Sequence, residues 1–280
     1  MSNRNNPNRT GAGGQPSDPA SILGGLDFVT PTEFVELPSK GQFYSEGHPL
    51  HNQEVIEIKF MTAKDEDILT SQSLLKKGLA IDRFLQNVIV DKSIKPDDLL
   101  IGDKNAVLIA ARVSGYGDSY DTIVGCPACA SKNQVSFDLT QKAVLESQID
   151  TVDYAKKTTD GTFLIKMPFS NLDVEFKLLT GKDENDLAFT QKKKAKGKMA
   201  DSIMTDQYKK MIISVGGNNG RDVVNYYVDN MPLKDSSFLK ATYRVLNPDV
   251  KIMNEFECTT CGHEQPLEVP FGADFFWPDR

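Results

Sequence analysis

No apolar run in this sequence approaches the roughly 20 residues that a membrane-spanning helix requires. The first twenty residues, Met1 to Ala20, lack the hydrophobic stretch of a secretory signal. The expectation is a soluble, intracellular chain with no membrane partner. Histidine is scarce, at three in 280 residues, so no general base stands out. No nucleophile elbow is present. No phosphate-cradling loop is present either, because Gly115-Tyr116-Gly117 lacks the third glycine and the strand-to-helix setting. An enzyme is therefore not expected. Positive charge is also short: the formal net charge is -7 and the pI about 5.1. Such a surface repels phosphate backbones and disfavours nucleic acid as a partner, while leaving basic protein surfaces open.

What the chain does contain is unevenly distributed. Residues 1–25 are rich in Asn, Gly, Pro and Ser, bury too little apolar surface to offset chain ordering, and read as a disordered polar leader. An apolar pattern then begins at Phe28, Val29, Phe34, Val35 and Leu37 and continues through a Pro38-Ser39-Lys40-Gly41 turn. Val55 to Met61 reads as a strand. Thr62 reads as an N-cap with Asp65 and Glu66 in the first helical turn, and the helix is expected to run to Lys77 with Gly78 beyond its end. Further helices are expected over Asp82–Val90 and Asp103–Val113, followed by a strand through Val135, Phe137 and Leu139.

The second half repeats this plan. The segment Glu57-Ile58-Lys59-Phe60-Met61-Thr62-Ala63-Lys64-Asp65-Glu66 matches Glu175-Phe176-Lys177-Leu178-Leu179-Thr180-Gly181-Lys182-Asp183-Glu184, with Glu, Lys, Thr, Lys, Asp and Glu identical in register. The paired acids at these helix starts read as caps rather than catalytic carboxylates. Val135, Phe137 and Leu139 after Cys126 correspond to Leu267, Val269 and Phe271 after Cys258 at the same offsets. Before the cysteines, Tyr120 and Val124 correspond to Ile252 and Phe256. Between these matching ends lie a helix from Asp183 to Met199 crowded with lysines, a helix over Asp206–Ser214, a Gly216–Gly220 turn, and a helix that opens at Pro232 and runs to Leu246. The fold class expected is α+β, with two related strand-and-helix halves, 26–150 and 151–280, joined by a zinc-ribbon-like module.

That module rests on Cys126, Cys129, Cys258 and Cys261. A Cys-x-x-Cys turn brings two thiolates within reach of one ion, and two such turns complete a tetrahedral sulfur site that suits a structural zinc ion. About 130 residues separate the pairs, against roughly 15–20 in common sites, so the fold itself has to bring them together. Ala130 stands where zinc-ribbon knuckles often have glycine. The alternative is four buried thiols without metal; His263 reads first as a surface residue of the knuckle and second as a substitute ligand. His48 and His51 have no acidic or thiol partner nearby in sequence. The lysine run, Lys192 to Lys198, reads first as a solvated helix face and second as a docking site for an acidic protein. Near the C-terminus, Phe275, Phe276 and Trp277 either pack onto the chain's own core or insert into a partner.

Leu37-Pro38-Ser39-Lys40-Gly41 with Tyr44, Thr62-Ala63-Lys64-Asp65-Glu66-Asp67-Ile68-Leu69 and Cys126-Pro127-Ala128-Cys129 resemble segments of the baseplate hub proteins of T-even-type contractile-tailed bacteriophages. The resemblance covers Glu36 to the C-terminus. It implies a structural or assembly protein of a tail baseplate hub, either a hub component or an assembly factor. Its partners would be other tail or baseplate proteins, in the host cytoplasm during assembly or in the virion tail. It transfers no catalytic residues, and since members of that family need not carry four cysteines, zinc rests on this sequence alone. A zinc-ribbon adaptor for nucleic acid or transcription machinery is the alternative, supported by the lysine run.

Overall fold

The computed structural model describes residues 30–197, 202–269 and 273–276. The polar leader 1–25 and Trp277 lie outside them. All of the described elements lie in the compact unit that begins at Thr32.

The chain enters as an antiparallel pair, β1 (Thr32–Glu36) and β2 (Val55–Lys59), in which Val35 lies opposite Ile56. Alternation puts Ile56 and Ile58 inward. After β2, Thr62 caps a short helix, α1 (Ala63–Thr70). The expected helix to Lys77 is interrupted: Ser71 is extended (φ −62°, ψ 109°), and a second piece, α2 (Gln72–Lys77), follows. The Thr70 hydroxyl donates to the Glu66 carbonyl at 2.9 Å, a local alternative to continued helix. Helix α3 (Ala80–Val88) then returns the chain to β2, where Ile89 bridges Ile58 in antiparallel fashion.

A four-stranded sheet is built later in the chain. Strands β7 (Phe163–Lys166) and β8 (Asp173–Phe176) are antiparallel neighbours, with β6 (Ala155–Lys157) on the outer side of β7. Thr180 caps α5 (Gly181–Lys196). Helix α6 (Ile203–Met211) and strand β9 (Ile212–Val215) then bring the chain back to β8. The helix expected over Asp206–Ser214 thus stops at Met211, because Ile212, Ile213 and Val215 are β-branched residues that pack well against a neighbouring strand. Helix α7 (Arg221–Asn230), which the sequence reading did not separate from the loop after Gly220, precedes α8 (Leu233–Leu246).

Between the halves lies α4 (Ile101–Tyr116), whose Ala106, Val107, Leu108, Ile109 and Ala111 are all buried. A helix apolar nearly all round has to be covered on several sides, and α4 is touched by β1, α3, α5 and the short strand β10 (Asp249–Lys251). Pairing also crosses the boundary expected at 150/151: β10 is antiparallel to β5 (Ala143–Leu145). The starts of α4 and α5 are joined backbone to backbone, with Ile101 N–H donating to Leu179 O (3.2 Å) and Gly181 N–H to Leu99 O (2.8 Å). Gly181 follows its capping threonine as Ala63 follows Thr62, and the contact explains the glycine: a Cβ on Gly181 would lie 2.8 Å from the Pro96 carbonyl oxygen. Two hairpins complete the unit, β3 (Ser119–Gly125) with β4 (Lys132–Asp138), and β11 (Met253–Glu257) with β12 (Glu264–Glu268). No helix among the described residues is long and apolar enough to cross a membrane.

Candidate metal centre

The two hairpins carry the four cysteines in loops of equal length. Gly125 pairs with Lys132 across one loop, and Glu257 with Glu264 across the other, so each encloses six residues, 126–131 and 258–263. The hairpins stand because their inner faces are apolar. In β4, Val135 and Phe137 are buried together with Leu139 just beyond, and in the other hairpin Phe256 and Val269 are buried. The loops fold alike. Cys126 N–H donates to Ser131 O and Ala130 N–H to Cys126 O, both at 2.8 Å; Cys258 N–H donates to His263 O and Gly262 N–H to Cys258 O, both at 2.9 Å. In each turn the residue after the second cysteine is left-handed, Ala130 at φ 59° and Gly262 at φ 66°.

These turns bring all four sulfurs within 4.8 Å of one another. The closest approaches run between knuckles: Cys126 Sγ to Cys261 Sγ is 3.8 Å, and Cys129 Sγ to Cys258 Sγ is 3.7 Å. All four cysteines are free. A tetrahedron of sulfurs each about 2.3 Å from a central ion has edges of about 3.8 Å, so the donor set fits one tetrahedral metal held by four thiolates, with no position left for substrate. His263 contributes its backbone to the turn, and no imidazole belongs to the cluster among the described residues.

The neighbours of the sulfurs favour thiolate on some and hold protons on others. Ser131 Oγ lies 3.2 Å from Cys258 Sγ and 3.1 Å from Cys129 Sγ. The Ser131 hydroxyl, helped by the backbone N–H groups of Cys261 and Thr260, brings the Cys258 thiol down to about 5. The same hydroxyl, with the Ser131 N–H, lowers Cys129. Cys261 stands at about 12: the His263 backbone N–H favours its thiolate, but Cys129, partial burial, Cys258 and Cys126 together outweigh it. A cation entering the cluster would displace the remaining protons, so loading releases acid.

Asn133, buried at 4% exposure, links the knuckles. Its Nδ2 donates to Ser131 O (3.1 Å) and reaches Cys258 Sγ (3.6 Å), while its Oδ1 accepts from Thr259 N–H (3.0 Å) and Thr259 Oγ1 (2.8 Å). Neither Asn133 nor Ser131 was singled out from sequence; their position just after the first knuckle was the available signal.

The remaining sequence candidates fall elsewhere. Phe275 and Phe276 are each 1% exposed. Phe275 packs on Tyr120 and Phe276 on Phe84, ring centroids 5.1 Å apart in both cases, and Arg112 Nε donates to the Phe275 carbonyl at 3.2 Å. Their side chains lie in the core, the first of the two placements that the sequence left open. His48 stacks on Tyr44, and His51 Nδ1 bonds the Tyr44 carbonyl at 2.6 Å, so both histidines shape a loop. Asp65 and Asp183 do cap their helices: each carboxylate accepts both the N–H and the hydroxyl of its threonine, Thr62 at 2.9 and 2.6 Å and Thr180 at 3.2 Å for both.

A family model described as T4 bacteriophage base plate protein matches residues 30–277. No curated protein and no solved structure matches the chain.

Proposed function

Because the chain belongs to the T4 bacteriophage base plate protein family, we propose that it works in building the hub of a contractile tail baseplate, as a hub component or assembly factor, through contacts with other tail proteins. In this reading the four cysteines hold one structural zinc ion that ties two duplicated halves together, and the chain acts in the host cytoplasm during assembly or in the virion tail. The observation that carries it is the closed four-sulfur cluster built from two hairpin loops of equal length, within a chain whose matched family is structural. A metal with four thiolates and no open position stabilises rather than catalyses.

The duplication is supported by order. In each half a hairpin strand is followed by a Thr-x-x-Asp capped helix, a return to the same strand, a long helix, and a cysteine hairpin. The test is elemental mass spectrometry on the purified chain, run beside phage that carry Cys129→Ser. About one zinc per chain, lost in the variant together with tail assembly, is the expected result. Metal-free protein that still supports tails would remove the zinc from the reading, and normal tails without this chain would remove the assembly role.

A further inference from the structure

Along α5 lies a groove of about 590 Å³ between that helix and the end of α2. Its walls carry Lys76 and Lys77 from α2, and Phe189, Lys192, Lys193 and Lys196 from α5. The positions 189, 192, 193 and 196 share one face of a helix. None of these five lysines forms an ion pair among the described residues, although Lys194 beside them is bound to Asp206 at 2.6 Å. The one acidic residue in the wall, Asp186, is taken by Lys210 at 2.5 Å. Phe189 is 71% exposed and Leu79, at the same groove, 41%.

Lysines at helix C-termini offset the helix dipole, which accounts for some of these charges one at a time. It does not account for five facing one concavity around an exposed aromatic ring, in a chain whose net charge is -7. Like charges gathered this way repel one another and leave a positive focus on an acidic surface.

We infer that this groove docks an acidic segment of a partner protein, with an apolar side chain of that segment covering Phe189 and Leu79. The inference rests on the reading of the chain as a protein-assembly factor and names the surface and partner chemistry for it. From Asn185 to Lys196 the wall runs about 16 Å, enough for about three turns of helix. Carboxylates would meet the lysines, and the apolar centre ringed by charge is the usual plan of a protein contact. Nucleic acid fits less well: the basic path is short, one aromatic ring lines it, and the surrounding surface is acidic.

Fluorescence anisotropy of the full chain with a labelled synthetic peptide of repeating Glu-Glu-Leu-Leu tests this. Binding should be measurable at low salt and weaken as salt rises. It should fall about tenfold when Lys192→Glu and Lys193→Glu are combined, recover with Lys192→Arg and Lys193→Arg, and fall again in Phe189→Ser at unchanged charge. All of these positions are exposed, so melting curves should match the unaltered chain. Absence of binding, or an equal loss when the exposed Lys234 and Lys240 on α8 are reversed instead, overturns the inference. Tighter binding of a single-stranded DNA oligonucleotide than of the peptide overturns it in favour of nucleic acid. A chain that ignores the peptide but still co-purifies with tail proteins loses the groove and keeps the assembly role.

Discussion

Asp103 is fully buried at the start of α4 and accepts three hydrogen bonds, from Ser39 N–H (3.0 Å), Ser39 Oγ (2.6 Å) and Tyr44 OH (2.7 Å). Tyr44 OH in turn accepts from Leu100 N–H at 3.1 Å. The Leu37–Gly41 turn is therefore pinned to the central helix by one carboxylate. Asp103→Ala leaves three buried donors without that acceptor and should cost about 3 kcal/mol. Burial raises the Asp103 carboxyl above its ordinary value, against the pull of its three donors. A group with a raised folded-state value contributes stability that is fully present below its unfolded value, near pH 4, and is lost as pH rises. The deficit of Asp103→Ala against the unaltered chain should thus be larger near pH 4 than at pH 7. Denaturant titration of both proteins at the two pH values checks this, and a deficit that shrinks on acidification would refute it. The turn was readable in the sequence from Pro38 and Gly41, but its anchor was not. Asp103 is 64 residues away from Ser39, and a lone acid near a helix start looks like an ordinary surface cap.

Among the elements, those governed by local chemistry were the readable ones. Thr62 with Asp65 and Thr180 with Asp183 announce helix starts because the capping groups sit within one turn, and β4 announces itself by strict alternation. Helix ends and edge strands were not readable. The break at Ser71 turns on a local hydroxyl competition and β9 on the strand beside it, whereas α7 carried a signal that went unused, the helical spacing of Val224, Tyr227 and Val228. The knuckles were half readable: spacing gave the four clustered cysteines, while the Asn133 clamp and the equal six-residue loops needed the pairing register. Within the knuckles, Ala130 occupies the left-handed conformation that Gly262 occupies in the other loop. A side chain there is strained, with a cost on the order of 1 kcal/mol. Ala130→Gly should raise stability by about 0.5–1 kcal/mol, seen as a higher denaturation midpoint with an unchanged slope. A fall in the midpoint would mean that the Ala130 methyl makes contacts worth more than the strain.

Over the whole molecule, about 130 residues separate the cysteine pairs, and a cross-link between them would remove about 4–5 kcal/mol of entropy from the unfolded state. If the cluster holds a metal, a strong chelator should lower the melting temperature on the order of 10 °C, and Cys261→Ser should melt like the chelated protein without responding to chelator. A melting temperature unmoved by verified metal loss would show that the halves hold together unaided. Asn133 bears on the order in which these events occur. Its amide grips Thr259 and the Ser131 turn through bonds that need no ion, so the two hairpins are already in register before any cation arrives. For any ion that this cluster takes up, capture is then the filling of a finished cradle, timed by collision and proton loss instead of by the search of a long chain for its own other end.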